Sequence, residues 1–401
     1  GGMRETTSDS RTTADGSDLG PQLAQFFQVL NTPEDKRTKN LDEQLAAFPY
    51  VNGKLFEEML PIADFDAAMR DALLDCCALD WSVISPAIFG ALFQSIMDGK
   101  ARRNLGAHYT SEENILKLIK PLFLDELRAE FQRVRNNKNK LFEFHKKLRT
   151  LTFFDPACGC GNFLVIAYRE LRALELDVLR ASHDSSQQVL DVHHLIGVDV
   201  DQFYGIEIEE FPAQIAQVAL WLMDHQMNVR VSEEFGMYFA RIPLKTTPHI
   251  HHGNALTLDW SEVLPAERAS YVFGNPPFVG HQWRNAEQMT DMERIWGTDG
   301  RFGRLDYVTC WYRKAVDYMR SNLAVTCALV STNSICQGEQ VGTLWGYLLG
   351  QGVTIHFAHR TFQWSNEARG KAAVHCVIVG FALRETTEKT IFEYEDIKGE
   401  P

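Results

Sequence analysis

Long apolar runs are missing from this sequence. No stretch approaches the roughly 18 consecutive apolar residues of a membrane-spanning helix, and no secretory leader is legible, so a cytoplasmic protein with no membrane partner is expected. Cysteine is sparse and unpatterned. Among the 8 Cys, Cys76 and Cys77 are adjacent and Cys158 and Cys160 lie one residue apart, which argues against a disulfide framework and for reduced thiols. Positive charge is short as well. Lys and Arg number 40 against 53 Asp and Glu, a net charge of −13, the wrong sign for gripping a phosphate backbone over a whole surface. A nucleic-acid partner then requires local basic surface or a binding part elsewhere. The densest His cluster, His249, His251 and His252, has no matching Cys or carboxylate spacing, so no metal site is expected.

What is present is an ordinary globular composition, 45% hydrophobic and 23% charged, in a chain of 401 residues that is long enough for more than one core. Gly1-Gly2 ahead of Met3 reads as a cloning scar, and residues 1–18 as a disordered tail. From Leu19 the pattern is helical, cut by turn signals at Asn31-Thr32-Pro33 and Phe48-Pro49, with another helix expected over residues 87–97 after Pro86. Residues 19–104 are therefore expected to form a helical region. An amphipathic helix is expected from Ile115 to Phe131, and the basic stretch from Arg133 to Lys147 reads as a solvated helix end and loop.

The chain is organised around residues 153–164, Phe-Phe-Asp-Pro-Ala-Cys-Gly-Cys-Gly-Asn-Phe-Leu. They read as a buried strand, a tight turn and a helix opening near Asn162. Gly159 and Gly161 lack the Cβ atoms that would keep backbone away from a ligand, and the helix start offers unpaired N–H groups beside it. A second strand follows within Gly205-Ile206-Glu207-Ile208. A dinucleotide-type fold places an acidic residue at its end to bond ribose hydroxyls. Glu207 is preferred, with Asp199 and Asp201 as competitors. Downstream, the apolar run Tyr271-Val272-Phe273 leads into Gly274-Asn275-Pro276-Pro277-Phe278.

The Asp-Pro-Ala-Cys-Gly-Cys-Gly-Asn-Phe turn followed by strand-Asn-Pro-Pro-Phe resembles the N6-adenine DNA methyltransferases. The motif order, cofactor half first, is that of their gamma class. More narrowly, residues 202–212 and the Trp221-Leu222-Met223-Asp224-His225-Gln226 run look like the MmeI-type (Type IIL/IIG) restriction–modification enzymes. The resemblance covers about Gly106 to Phe381. It implies an α/β, Rossmann-like class I fold that binds S-adenosylmethionine (SAM), with an N-terminal helical region, over residues 105–401. It implies double-stranded DNA as partner, with the target base flipped out. The recognition and nuclease regions of such proteins are not legible here, so they are expected outside this chain.

Site roles follow from the same resemblance. Asp155, Ala157, Gly159, Gly161, Asn162 and Phe163 are expected to hold the cofactor, with Glu207 on its ribose. The Gly-x-x-Tyr-Thr segment, with His108, Tyr109 and Thr110, is expected over its methionine end. Asn254 stands where the family has an acidic residue for the adenine amine, and its amide oxygen can accept the same bond beside Ala255. Cys160 replaces the usual Ser, a change small in size. Asn275, Pro276, Pro277 and Phe278 are the catalytic candidates. An adenine amine is a poor nucleophile, because its lone pair is delocalised. The Asn275 oxygen and the Pro276 carbonyl can accept from its two N–H bonds, the prolines keep the turn stiff, and Phe278 offers a face for the flipped base. Phe362 and Trp364, read as part of a loop before the last apolar strand, are candidates for base stacking or for the core. Competing readings are methylation of protein glutamine, of RNA or of cytosine N4, and a non-catalytic SAM-binding modification subunit.

Overall fold

The computed structural model of the chain describes residues 12–48, 50, 56, 61–79, 84, 88, 110–182, 196–235, 247–298, 300–364 and 374–401. The chain divides into two compact units, Gly1–Ile84 with Ala240–Thr247, and Ser85–Phe239 with Pro248–Pro401. Among the described residues no helix is long and apolar enough to cross a membrane.

In the first unit, helix α1 (Leu19–Leu30) buries Leu19, Leu23, Phe26 and Leu30 along one stripe, the spacing of an amphipathic helix. Helix α2 (Ala67–Ala78) starts at Asp66, whose carboxylate accepts from the Met69 N–H. Residues 12–18, expected within a disordered tail, instead form a hydrogen-bonded turn. Asp18 accepts from the Thr13 N–H at 2.8 Å, and the buried Arg70 donates to Thr12 Oγ1 at 2.8 Å. The helix expected over residues 87–97 lies outside the described residues, apart from Ile88.

The second unit begins with α3 (Glu112–Ile119), which passes through a π turn (Lys120–Leu124) into α4 (Asp125–Val134). The turn falls at Pro121, which has no N–H for the helical ladder. The stretch expected as a helix end and loop is largely another helix, α5 (Lys138–Thr150), capped by Asn137. Lys147 is paired with Glu130, so this basic stretch is partly neutralised. Strand β1 (Phe153–Asp155) leads through the Gly-rich turn into α6 (Asn162–Ser182), then β2 (Phe203–Glu207), α7 (Glu210–Phe235), β3 (His249–His252) and β4 (Tyr271–Gly274). Helices α8 (Ala286–Trp296) and α9 (Thr309–Met319) precede β5 (Thr326–Thr332), β6 (Thr354–Trp364), β7 (Val374–Ala382) and β8 (Thr390–Phe392).

The strands form one sheet in the order β3-β2-β1-β4-β5-β7-β6-β8. Pairing is parallel from β3 to β5, and β7 is antiparallel between β5 and β6. This is the expected Rossmann-like class I arrangement. Chain order reverses between β1 and β4, and ligands of open α/β sheets gather beyond the strand ends at such a point. Alternation along β1 sends Phe153 and Phe154 to opposite faces. Phe153 stacks on Phe203 with ring centroids 4.9 Å apart, while Phe154 meets Trp260 edge-on at 5.4 Å. Behind the first face, a buried polar cluster joins α6 to α7. Arg172 pairs with Asp224 at 2.9 Å and donates to Asn228, and Tyr168 donates to Asp224. That cluster fixes how α6, and so the turn ahead of it, sits on the sheet.

Candidate active site

Two turns meet where β1 and β4 end side by side. In the first, Gly159 and Gly161 take φ of +55° and +81°, left-handed values that suit glycine. They are needed for different reasons. A Cβ on Gly161 would lie 2.9 Å from Ala216 Cβ, so this residue lets α7 pack closely; a Cβ on Gly159 would point into open space. Glu207, at the end of β2, is half-buried. Its carboxylate accepts the Gly159 N–H at 2.9 Å and the Glu209 N–H at 3.0 Å. Burial pushes its pKa up, against the pull of those N–H groups.

Asp155 is fully buried and accepts the Ala157 N–H at 3.0 Å. Burial, with the Glu207 charge adding to it, pushes its pKa up to about 8 although the Ala157 N–H opposes the shift. Its carboxylate lies across the end of β4. A Cβ on Gly274 would stand 2.3 Å from Asp155 Oδ1, so only glycine fits there. The Trp311 indole N–H donates to the Pro156 carbonyl at 3.0 Å and ties this turn to α9. Burial raises both thiols here, that of Cys160 to about 12, so neither is poised as a nucleophile.

In the second turn, Asn275 donates from Nδ2 to Thr110 Oγ1 at 3.2 Å. Its Oδ1 is buried without a hydrogen-bond partner among the described residues. So are Asp155 Oδ2, Asn162 Oδ1 and Asn114 Nδ2. Buried polar atoms are nearly always paired, so the unpaired atoms of Asp155 and Asn275, at the adjoining ends of β1 and β4, mark a place where a bound group finds its partners. Pro276 is buried, and Phe278 is half-buried against the core.

The other expected residues fall in several places. Asn254 Oδ1 accepts the Leu256 N–H at 2.8 Å, leaving one lone pair for a ligand, and its Nδ2 donates to Asp291 at 3.1 Å. Asp291 also accepts from the Tyr307 hydroxyl at 2.7 Å. Ala255 is buried and Phe163 sits in the core at the start of α6. Asp199 and Asp201 precede β2, at the opposite end from the turn, and Asp199 caps a short helical turn there. That position removes both from competition with Glu207. Phe362 and Trp364 belong to β6 and not to a loop, with exposures of 1% and 2%. Phe362 stacks on Tyr394 at 5.3 Å. As placed, neither offers an open face to a base, which corrects the stacking expectation in favour of the core. His108 and Tyr109 lie outside the described residues.

Some neighbours of the site were not expected. Asp291, Tyr307 and Trp311 give no local signal and reach the turns only through the packing of α8 and α9. Among the described residues no group of three or more His, Cys, Asp or Glu side chains could hold a metal ion.

The family described as the MmeI DNA-methyltransferase domain matches residues 131–393, and the MmeI helicase spacer domain matches residues 2–56. DNA methyltransferase A of Bacillus subtilis (strain 168) is 40% identical over 379 residues, 94% of this chain and 42% of that protein. The structure of the Type IIL restriction–modification enzyme MmeI in complex with DNA is 65% identical, with a TM-score of 0.95 over 100% of this chain and 53% of its own. The ATP-dependent Type ISP enzyme LlaBIII, at 14% identity, shares the fold with a TM-score of 0.52 over 92% of this chain and 26% of its own. The chain thus spans about half the length of these two MmeI-like relatives.

Proposed function

The chain belongs to the MmeI DNA-methyltransferase family, and from that premise we propose that its second unit transfers a methyl group from SAM to the N6 amine of adenine in double-stranded DNA, as the modification part of a restriction–modification protein. The observation that carries this reading is the buried, unpartnered Oδ1 of Asn275 beside the Gly-rich turn. An acceptor without a donor, on a turn stiffened by two prolines, suits an incoming amine.

The residues present fit the cofactor. Asp155, with its unpaired oxygen, and Glu207 are carboxylates facing a turn whose Gly159 leaves room for close approach. Asn162, Thr110 and Asn254 add polar atoms around it. When bound, SAM supplies an electrophilic methyl group on a sulfonium that leaves as a neutral thioether.

The chain's own part is to make the amine reactive. Asn275 Oδ1 and the Pro276 carbonyl accept from its two N–H bonds and favour the pyramidal form with an available lone pair. Because the prolines fix the turn, the acceptors need little reorganisation as charge develops. Phe278 offers a ring face to the extruded base. The ring is half-buried and packs against the core.

The test is to incubate the protein with double-stranded DNA and SAM, then identify the modified nucleoside by mass spectrometry. N6-methyladenine is expected. N4-methylcytosine, or transfer to RNA or protein in its place, would overturn the reading.

A further inference from the structure

The side chain of Asn275 has two ends of nearly the same shape and opposite hydrogen-bonding sense. Only its oxygen can accept from an amine; with the amide turned over, N–H would confront N–H. The torsion that exchanges the ends is soft, so the backbone of the turn cannot hold it by itself. Thr110 restrains it. Its side chain comes from the segment just before α3, 165 residues earlier, and is 3% exposed. Its Oγ1 accepts from Asn275 Nδ2 at 3.2 Å, which satisfies the donor end and leaves Oδ1 free. We infer that Thr110 is a positioning residue whose hydroxyl anchors the Asn275 side chain at the end of β4 and restricts its rotation while Oδ1 stays available to the amine. The inference rests on the proposed role of Asn275. It gives the Tyr-Thr segment a task in turnover besides any contact with the cofactor: one hydroxyl ties the segment entering α3 to the turn that ends β4.

The experiment compares Thr110→Val, which keeps the shape and removes the hydroxyl, with Thr110→Ser, which keeps the hydroxyl. Both are made in the full chain. Three quantities are read: kcat at saturating SAM and DNA, SAM affinity by calorimetry, and hydrogen exchange of the Asn275 side-chain amide by NMR with labelled asparagine. Thr110→Val is expected to lower kcat about 10- to 100-fold, part of what losing a preorganised group outright costs. Thr110→Ser should stay within about 3-fold of the parent, and only the Val variant should show faster Asn275 amide exchange. Should Thr110→Val fail to fold, judged by circular dichroism and loss of cooperative unfolding, Thr110→Ala provides the same contrast without a branched side chain. The inference is overturned if the hydroxyl-free variant matches the parent kcat at saturation and only loses SAM affinity. A drop shared equally by the Ser variant overturns it too, since packing would then matter and the hydroxyl would not. If the parent transfers no methyl group to adenine, the proposed function falls, and amide exchange alone still reports whether Thr110 holds Asn275.

Discussion

The turn after β1 and the turn after β4 are neighbours built on opposite devices. The first uses glycine to let backbone come close and concentrates two carboxylates, Asp155 and Glu207, away from water. The second uses proline to hold still and carries no charge, only an amide. Each stores a different deficit. At β1 it is a pair of carboxyl groups whose burial disfavours ionisation, visible in the raised pKa values of both. At β4 it is an acceptor without a donor, which costs about 1–3 kcal/mol in a buried setting. On the proposed function, a cationic cofactor favours ionisation of the first pair and an amine gives the second its donor. On that reading, binding and chemistry separate: the turn assigned to the ligand is electrostatic, the turn assigned to the reaction geometric.

The sharpest way to break that separation is Asn275→Ala. Turnover should fall about 100- to 1,000-fold, while SAM affinity measured by calorimetry should move only a few-fold. An equal loss in both would mean that the two turns form one binding site.

Next come the two glycines. Gly161→Ala forces a left-handed residue, about 1–2 kcal/mol, and a contact with Ala216 that adds roughly 1–3 kcal/mol of overpacking. Denaturant unfolding should show that loss of stability. Gly159→Ala meets no protein atom, so its stability cost should be only the conformational one and its main effect weaker SAM binding. If Gly159→Ala unfolds the chain as readily as Gly161→Ala, the open space at Gly159 has been misread as a ligand site.

The pH dependence sharpens the electrostatic side. A carboxyl raised to about 8 in the folded state holds its proton where the unfolded chain has already released it. Stability from this group is therefore intact below the ordinary Asp value of 3.8 and is lost as pH rises towards 8. Thermal melts of cofactor-free protein between pH 5 and pH 8 should decline more in the parent than in Asp155→Asn, whose amide oxygen still accepts the Ala157 N–H. Parallel curves would show that Asp155 is ionised in the fold.

The smallest effect expected is that of Glu207→Gln. One amide oxygen must then serve the N–H groups of Gly159 and Glu209, a loss of about one hydrogen bond, and SAM affinity should fall about tenfold. Unchanged affinity would move the ribose contact elsewhere.

Much of this was readable in one dimension because both turns are local. A strand, a tight turn and a helix start within 12 residues leave a signature that does not depend on distant partners, and so does a strand ending in Asn-Pro-Pro-Phe. The preference for Glu207 rested on the apolar helix that follows it. Strand β6 escaped because its alternation is broken by irregular pairing at Ile355/Phe357 and at His359/Phe362, which mixes polar and apolar residues along it. For that reason Phe362 and Trp364 read as loop residues available to a base. Helix α5 reads as a loop for another reason, since a charged, half-solvated helix face looks like a linker. Local chemistry, then, was determined by the sequence itself: which residues can turn, accept or carry charge. Tertiary structure alone decided which of them meet. Thr110 and Asn275 are brought together only when the segment entering α3 packs on the end of β4, and Asp155 reaches Gly274 only through the parallel pairing of β1 with β4. Contacts between residues so far apart in sequence leave no periodicity to read, because they depend on how the sheet is ordered and not on the spacing along the chain.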